Sequence, residues 1–124
     1  MIVAGVGCRR ACPAEDIVAL VRRAQAIAGC EAAVLAAPEF RAGEPGIEGA
    51  AEALALPLAI VDRAALAAAQ PRCLTRSARA AEATGFASIA EAAALAAAGP
   101  GAVLLLPRIA GAQATCALAR ANAP

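Results

Sequence analysis

Apolar residues fall in short blocks along the chain, separated by polar stretches punctuated with glycine and proline. The run over residues 2–6 is apolar and bounded by turn residues, which predicts a buried strand. Gly5 and Gly7 then predict a tight turn that can take positive φ and expose main-chain N–H groups. Pro13 is expected at the first helical position, with Cys12 before it as a weak N-cap. Over residues 13–28, Ile17, Leu20, Val21, Ala24 and Ile27 make one helical stripe, Arg22 and Arg23 lie off it, and Gly29 supplies the stop. Residues 32–37 read as a second strand ended by Pro38. Strand, helix and strand in that order imply a parallel pair with a right-handed crossover.

A polar loop over 38–46 carries Arg41 and Glu44 and is followed by a helix over 47–56 and a brief strand over 57–61. Asp62 can cap a helix over 63–70. A basic loop over 71–77 leads to a short helix over 78–84 that Gly85 terminates. Ser88 and Glu91 stand at capping-box spacing at the start of a helix over 89–98, which makes Glu91 first of all a helix-start residue. Residues 102–106 are the clearest strand. Residues 107–112 should turn it back into an antiparallel edge strand over 113–120, although the alanine-rich composition keeps helix open for that segment. The expected fold is a three-layer α/β/α arrangement around a mixed, mostly parallel sheet of about five strands with an antiparallel edge strand. A single domain should cover residues 1–124.

Composition removes several functions. Lysine plus arginine number 11 against 10 acidic residues, giving +1, and aromatics are 2 % of the chain. Neither a basic stripe nor a stacking platform for nucleic acid is available. The longest uncharged stretch, 92–107, is broken by Gly99-Pro100-Gly101 and is too short to span a bilayer. The first residues lack a charged start and a long apolar segment, so no signal peptide is expected and the cytoplasm is the expected location. Five cysteines at irregular spacing do not describe a disulfide framework. Cys8-x3-Cys12 begins like a radical iron–sulfur motif, but Glu15 occupies the third ligand position. With no histidine, ordinary zinc and non-haem iron sites and imidazole-based catalysis are excluded. Neither metal nor cofactor is expected.

The chemistry that remains centres on arginine. A dinucleotide fingerprint needs a glycine where Arg10 stands, and a P-loop needs a lysine, which the chain lacks. Glu15 and Asp16 in the first helical turn oppose an anion on that helix axis. Arg9, Arg10, Arg41, Arg72, Arg76 and Arg108 instead fall in loops expected at the carboxyl edge of the sheet, where α/β folds bind ligands. Arginine meets carboxylate or phosphate oxygens in a planar, bidentate manner. The residues alone therefore describe an α/β domain that binds a small polyanion at that edge. Cys8, flanked by Gly7 and Arg9, is either a nucleophile with a depressed pKa or, more simply, a buried inert thiol. Paired-carboxylate chemistry would need Glu44 with Glu39 or Glu48. A general phosphate-binding module and a scaffold without a ligand are the other readings.

Four segments in register resemble a known family. They are Val-Ala-Gly-Val-Gly-Cys-Arg-Arg at 3–10, Phe-Arg-Ala-Gly-Glu-Pro-Gly at 40–46, Gly-Phe-Ala-Ser-Ile-Ala-Glu-Ala-Ala-Ala at 85–94, and Leu-Leu-Pro-Arg at 105–108 with Ala-Thr-Cys-Ala-Leu-Ala-Arg at 114–120. They look like the cobalamin-biosynthesis CobE proteins and, equally, the carboxyl-terminal domain of CbiG, the cobalt-precorrin-5A hydrolase. The resemblance implies work on precorrins, macrocycles fringed with acetate and propionate carboxylates. It implies either an accessory or carrier protein of the aerobic corrin pathway, partnering methyltransferases, or a hydrolase that opens a ring-A lactone and releases acetaldehyde. Gly5, Gly7, Cys8, Arg9, Arg10, Arg41, Glu44, Arg76, Ser77, Glu91, Arg108 and Thr115 are the residues expected at the ligand, with Glu44 as the water-activating base in the hydrolase case. Arg41 and Arg108 stand where a lysine is expected in that family, so charge is kept and Schiff-base chemistry at either position is lost.

Overall fold

The computed structural model describes residues 1–122; the last two positions of the expected domain lie outside the described residues. Five strands form one sheet in the order β3-β2-β1-β5-β4. They are β1 (Ile2–Cys8), β2 (Val34–Pro38), β3 (Leu58–Val61), β4 (Val103–Ala110) and β5 (Ala114–Arg120). β1 pairs in parallel with β2, and β2 with β3, while β5 runs antiparallel to both of its neighbours, β1 and β4. Four strands therefore point one way and share a carboxyl edge.

Two helices cover one face, α1 (Ala14–Ala28) and α2 (Pro45–Leu54), and two cover the other, α3 (Arg63–Ala69) and α5 (Ala90–Ala98). The core divides accordingly. Ala4, Val6, Leu35, Cys116 and Leu118 pack with Ile17, Leu20 and Val21 of α1 and with Ile47 of α2. Val3, Ala36 and Ala119 pack with Leu66 of α3 and with Ala92, Ala93 and Leu95 of α5. Adjacent sheet residues divide between the layers, as strand alternation requires. The expected three-layer fold is the observed one.

Three local expectations are corrected. The glycines on either side of Val6 make no turn: β1 continues through Gly5 and Gly7, which pair with Ala117 and Thr115 of β5. Neither is among the residues of positive φ. Their side of β1 faces α5, and a Cβ on Gly5 would collide with the Ala90 carbonyl and lie 2.5 Å from the Ala94 nitrogen. Glycine stands here so that helix and sheet can touch, and not to bend the chain.

The antiparallel strand is interior, and β4 is the edge. Cys116, Ala117, Leu118 and Ala119 are all fully buried, which is how a strand flanked on both sides and covered on both faces reads. β4 carries Pro107, which has no N–H to give a neighbour and is tolerated at an edge. It also runs on to Ala110, beyond the turn expected at Pro107.

Pro13 is extended (ψ 144°) and takes the N-cap place, one position before the helix it was expected to begin. Two helix stops and one cap hold. Gly29 and Gly85 take left-handed conformations at the ends of α1 and of α4 (Ala78–Thr84). The Asp62 carboxylate accepts from the Ala65 N–H at the start of α3.

Candidate functional site

The carboxyl ends of β1, β2 and β4 and the start of β5 frame an open cleft of about 420 Å³. Gly7, Cys8, Pro38 and Thr115 come from the strands themselves. Ser77, Arg79, Ala80, Ala83 and Thr84 bring α4 in as one wall, with Ile89 beside it. Phe40 and Arg41 follow β2, and residues 110–114 at the β4–β5 turn close the other side. Alanine is the commonest lining residue, at six positions, and Ile89 and Phe40 add larger apolar surface.

Four arginines line this cleft, Arg9, Arg41, Arg79 and Arg108, and among the described residues no aspartate or glutamate does. Arg41 is held in place: its Nε donates to the Cys8 carbonyl at 2.9 Å and its guanidinium lies over the Phe40 ring, 5.3 Å from the centroid. Among the described residues, the side-chain hydrogen bonds of arginine do not include the guanidinium groups of Arg9, Arg79 or Arg108. An apolar-walled pocket with a few convergent charged groups is the usual form of a small-molecule site. Here the charge is of one sign, and it suits a ligand with several carboxylates or phosphates.

The loop that carries Arg9 is built from α2. Ala11 has positive φ (61°), a conformation costly for a residue with a Cβ. Its N–H donates to Glu44 Oε1 at 2.8 Å, and the Arg9 N–H donates to the Gln113 carbonyl at 3.0 Å. Gly46 lies against the Cys12 carbonyl so closely that a Cβ there would collide with it. Glu44 therefore holds the arginine loop from behind and does not line the cleft.

Of the residues expected at the ligand, Gly7, Cys8, Arg9, Arg41, Ser77, Arg108 and Thr115 line the cleft, and Gly5, Arg10, Glu44, Arg76 and Glu91 do not. Gly5 is covered by α5. Arg10 and Arg76 are exposed outside it. Arg72 is at the wrong end of the sheet, donating to the Ala102 carbonyl just before β4. Ser77 has two roles, since its hydroxyl also accepts from the Ala80 N–H as the N-cap of α4. The Thr115 hydroxyl donates to the Gly7 carbonyl at 3.5 Å, joining β5 to β1 at the cleft floor.

The Cys8 thiol is pushed up to about 11 by burial and, less strongly, by Cys12 and Glu44, against the lowering effect of Arg41. A raised value disfavours the thiolate, which counts against the nucleophile reading. Glu91 is fully buried and does not cap its helix through Ser88: the N-cap is Ile89, with no side-chain cap bond. Sequence reasoning missed Arg79, Phe40 and Thr84. Arg79 follows Ser77 on α4 and extends the basic loop by one helical turn, which is the signal that was present.

Fold and site together define an α/β protein with an arginine-lined cleft at the carboxyl edge of its sheet. A family model described as "Cobalamin synthesis G C-terminus" matches residues 2–119. The chain belongs to that family, and it is a protein of the cobalamin biosynthesis pathway. It is 42 % identical over 121 residues to "Protein CobE" of Sinorhizobium sp, across 95 % of this chain and 79 % of the relative. The crystal structure of CobE, described as a protein from the cobalamin (vitamin B12) biosynthetic pathway, superposes with a TM-score of 0.89 at 39 % identity. That match covers 97 % of this chain and 89 % of that one. The cobalamin biosynthesis protein chiG from Agrobacterium tumefaciens str. C58 gives 0.81 at 38 % identity, over 99 % and 100 %. Among the described residues no helix is long and apolar enough to cross a membrane.

Proposed function

We propose that the chain binds a polycarboxylate precorrin or corrin intermediate in the arginine cleft and serves the pathway as an accessory or carrier protein. One observation carries this reading: four arginines and no carboxylate surround an apolar-walled opening. A corrin-pathway macrocycle is a flat apolar ring fringed with acetate and propionate groups. Alanine, isoleucine and phenylalanine suit the ring, and guanidinium groups suit the fringe. The cleft is open and of modest volume, so it grips one edge of such a disc and leaves the rest accessible. That is useful in a protein that presents an intermediate to a neighbouring enzyme such as a methyltransferase.

Lactone hydrolysis finds less support, because Glu44 accepts from the Ala11 N–H outside the cleft and, among the described residues, no carboxylate side chain lines it to activate water. The reading is tested by titrating the protein with hydrogenobyrinic acid and, in parallel, with its fully esterified form, following the absorbance of the pigment. The acid should bind saturably and the ester should not. Equal binding of both would refute carboxylate recognition. Acetaldehyde release from a ring-A lactone intermediate would replace the carrier reading with the hydrolase.

A further inference from the structure

Glu91 and Ser88 are the buried polar and charged side chains among the described residues, and Glu91 is fully inaccessible. Its Oε1 accepts from the Leu74 and Thr75 N–H groups, both at 2.8 Å, and from the Ser88 hydroxyl at 3.4 Å. Its Oε2 accepts from the Thr75 hydroxyl at 2.7 Å and from the Arg108 N–H at 3.0 Å. Apart from Ser88, these partners lie 16 or 17 residues away in sequence, on β4 and on the segment that leads into α4.

We propose that Glu91 is the positioning residue of the cleft: one buried carboxylate fixes Arg108 on β4 and the start of the segment that carries α4 and Arg79, without touching the ligand. The proposal rests on the binding reading above and adds to it the group that sets the cleft's two walls in register.

Two features of the chain make that carboxylate necessary. The β4–β5 register shifts between Leu106 and Ile109. Arg108 lies inside this irregularity, and its N–H goes to Glu91 instead of the neighbouring strand. The direction in which Arg108 leaves the backbone is therefore set by Glu91. On the other wall, α4 buries none of its residues, so apolar packing of its own does not place it. It is placed by its ends. The Ser77 N–H donates to the Ala87 carbonyl at 2.8 Å, which pinches the segment into a closed loop. Downstream, Phe86 is buried beneath the Arg63 guanidinium, 4.9 Å from the ring centroid. Upstream, the fixed point is the pair of N–H bonds from Leu74 and Thr75 to Glu91. A carboxylate serving only its own helix would touch neither wall.

The test is a double-mutant cycle read by corrinoid titration, with circular dichroism melts showing which variants are folded. Glu91→Gln should weaken hydrogenobyrinic acid binding by about tenfold or more. Arg79→Ala and Arg108→Ala should then cost clearly less in that background than in the wild type, because the arginines have already lost their placement. Thr75→Val removes one of the five bonds and gives a milder version of the same effect if Glu91→Gln does not fold. A folded Glu91 variant that binds like the wild type, or a strictly additive cycle, overturns the proposal. If the wild type binds no corrinoid, the binding reading fails, and hydrogen exchange of the free protein decides this one. Faster exchange in Glu91→Gln or Thr75→Val confined to residues 74–84 and to the Arg108 amide supports it; uniform loosening, or none, overturns it.

Discussion

At the residue scale, two ionisable side chains show how environment decides chemistry. Burial alone would raise the Glu91 carboxyl, but the hydrogen bonds from Thr75, Arg108 and Leu74 outweigh it and hold the group below its ordinary value of 4.5. A carboxyl lowered in the folded state contributes stability that is present above the unfolded value and lost as pH falls through the folded one. Glu91→Gln should therefore cost about 1–3 kcal/mol near pH 7, since an amide cannot accept every bond that the carboxylate does. The gap between variant and wild type in urea melts should shrink below about pH 4. A gap that is constant from pH 7 to pH 3 would mean that the charge contributes nothing. Cys8 makes the opposite case. Its thiol stands at about 11, with burial the main cause, so alkylation at pH 7.5 should be much slower than for a free cysteine and should accelerate as pH rises toward that value. Rapid modification at neutral pH would restore Cys8 as a nucleophile.

At the scale of elements, the close approach of α5 to β1 rests on a missing side chain. Gly5→Ala would set a methyl group against backbone atoms of Ala90 and Ala94, which cannot move without moving the helix. It should destabilise by about 1–3 kcal/mol in denaturant melts. Gly7→Ala should cost less, because its nearest neighbours are side-chain atoms of Thr115 and Ile89 at 3.0 and 3.3 Å. Equal costs would refute the distinction. The same glycines mark the limit of what the chain discloses. Strands and helices were legible because hydrophobic period and the stops at Gly29 and Gly85 act locally. A glycine that admits a helix and a glycine that bends a turn look identical in one dimension, so Gly5 and Gly7 were read as a turn. Glu91 was read from Ser88, three residues away, while its decisive partners at 74, 75 and 108 are joined only by the fold. Arg72 and Arg76 were expected at the carboxyl edge by belonging to a basic loop. That loop runs along the edge of the sheet, leaving Arg72 by Ala102 and bringing Ser77 to the cleft. The interior place of β5 was hidden because sequence order says little about strand order. Its mostly apolar run over 114–119 and Pro107 in β4 were the available clues.

At the scale of the whole molecule, a balanced chain of net charge +1 becomes electrically uneven on folding. Four arginines gather on the cleft, and three carboxylates of the neighbouring segments are engaged by backbone N–H groups: Glu44 by Ala11, Glu91 by Leu74, Thr75 and Arg108, and Glu39 by Arg63 at 2.9 Å. An uneven field of this kind attracts a polyanion and weakens with salt. With no tryptophan or tyrosine in the chain, the ligand must report its own binding. The most direct measurement is a visible-absorbance titration of wild type and an Arg79→Ala/Arg108→Ala variant with hydrogenobyrinic acid, at low and at moderate salt. Saturable wild-type binding that weakens with salt, and that falls by about tenfold or more in the folded double variant, is the predicted result. Wild-type and variant curves that coincide would contradict the assignment of this cleft as the corrinoid site.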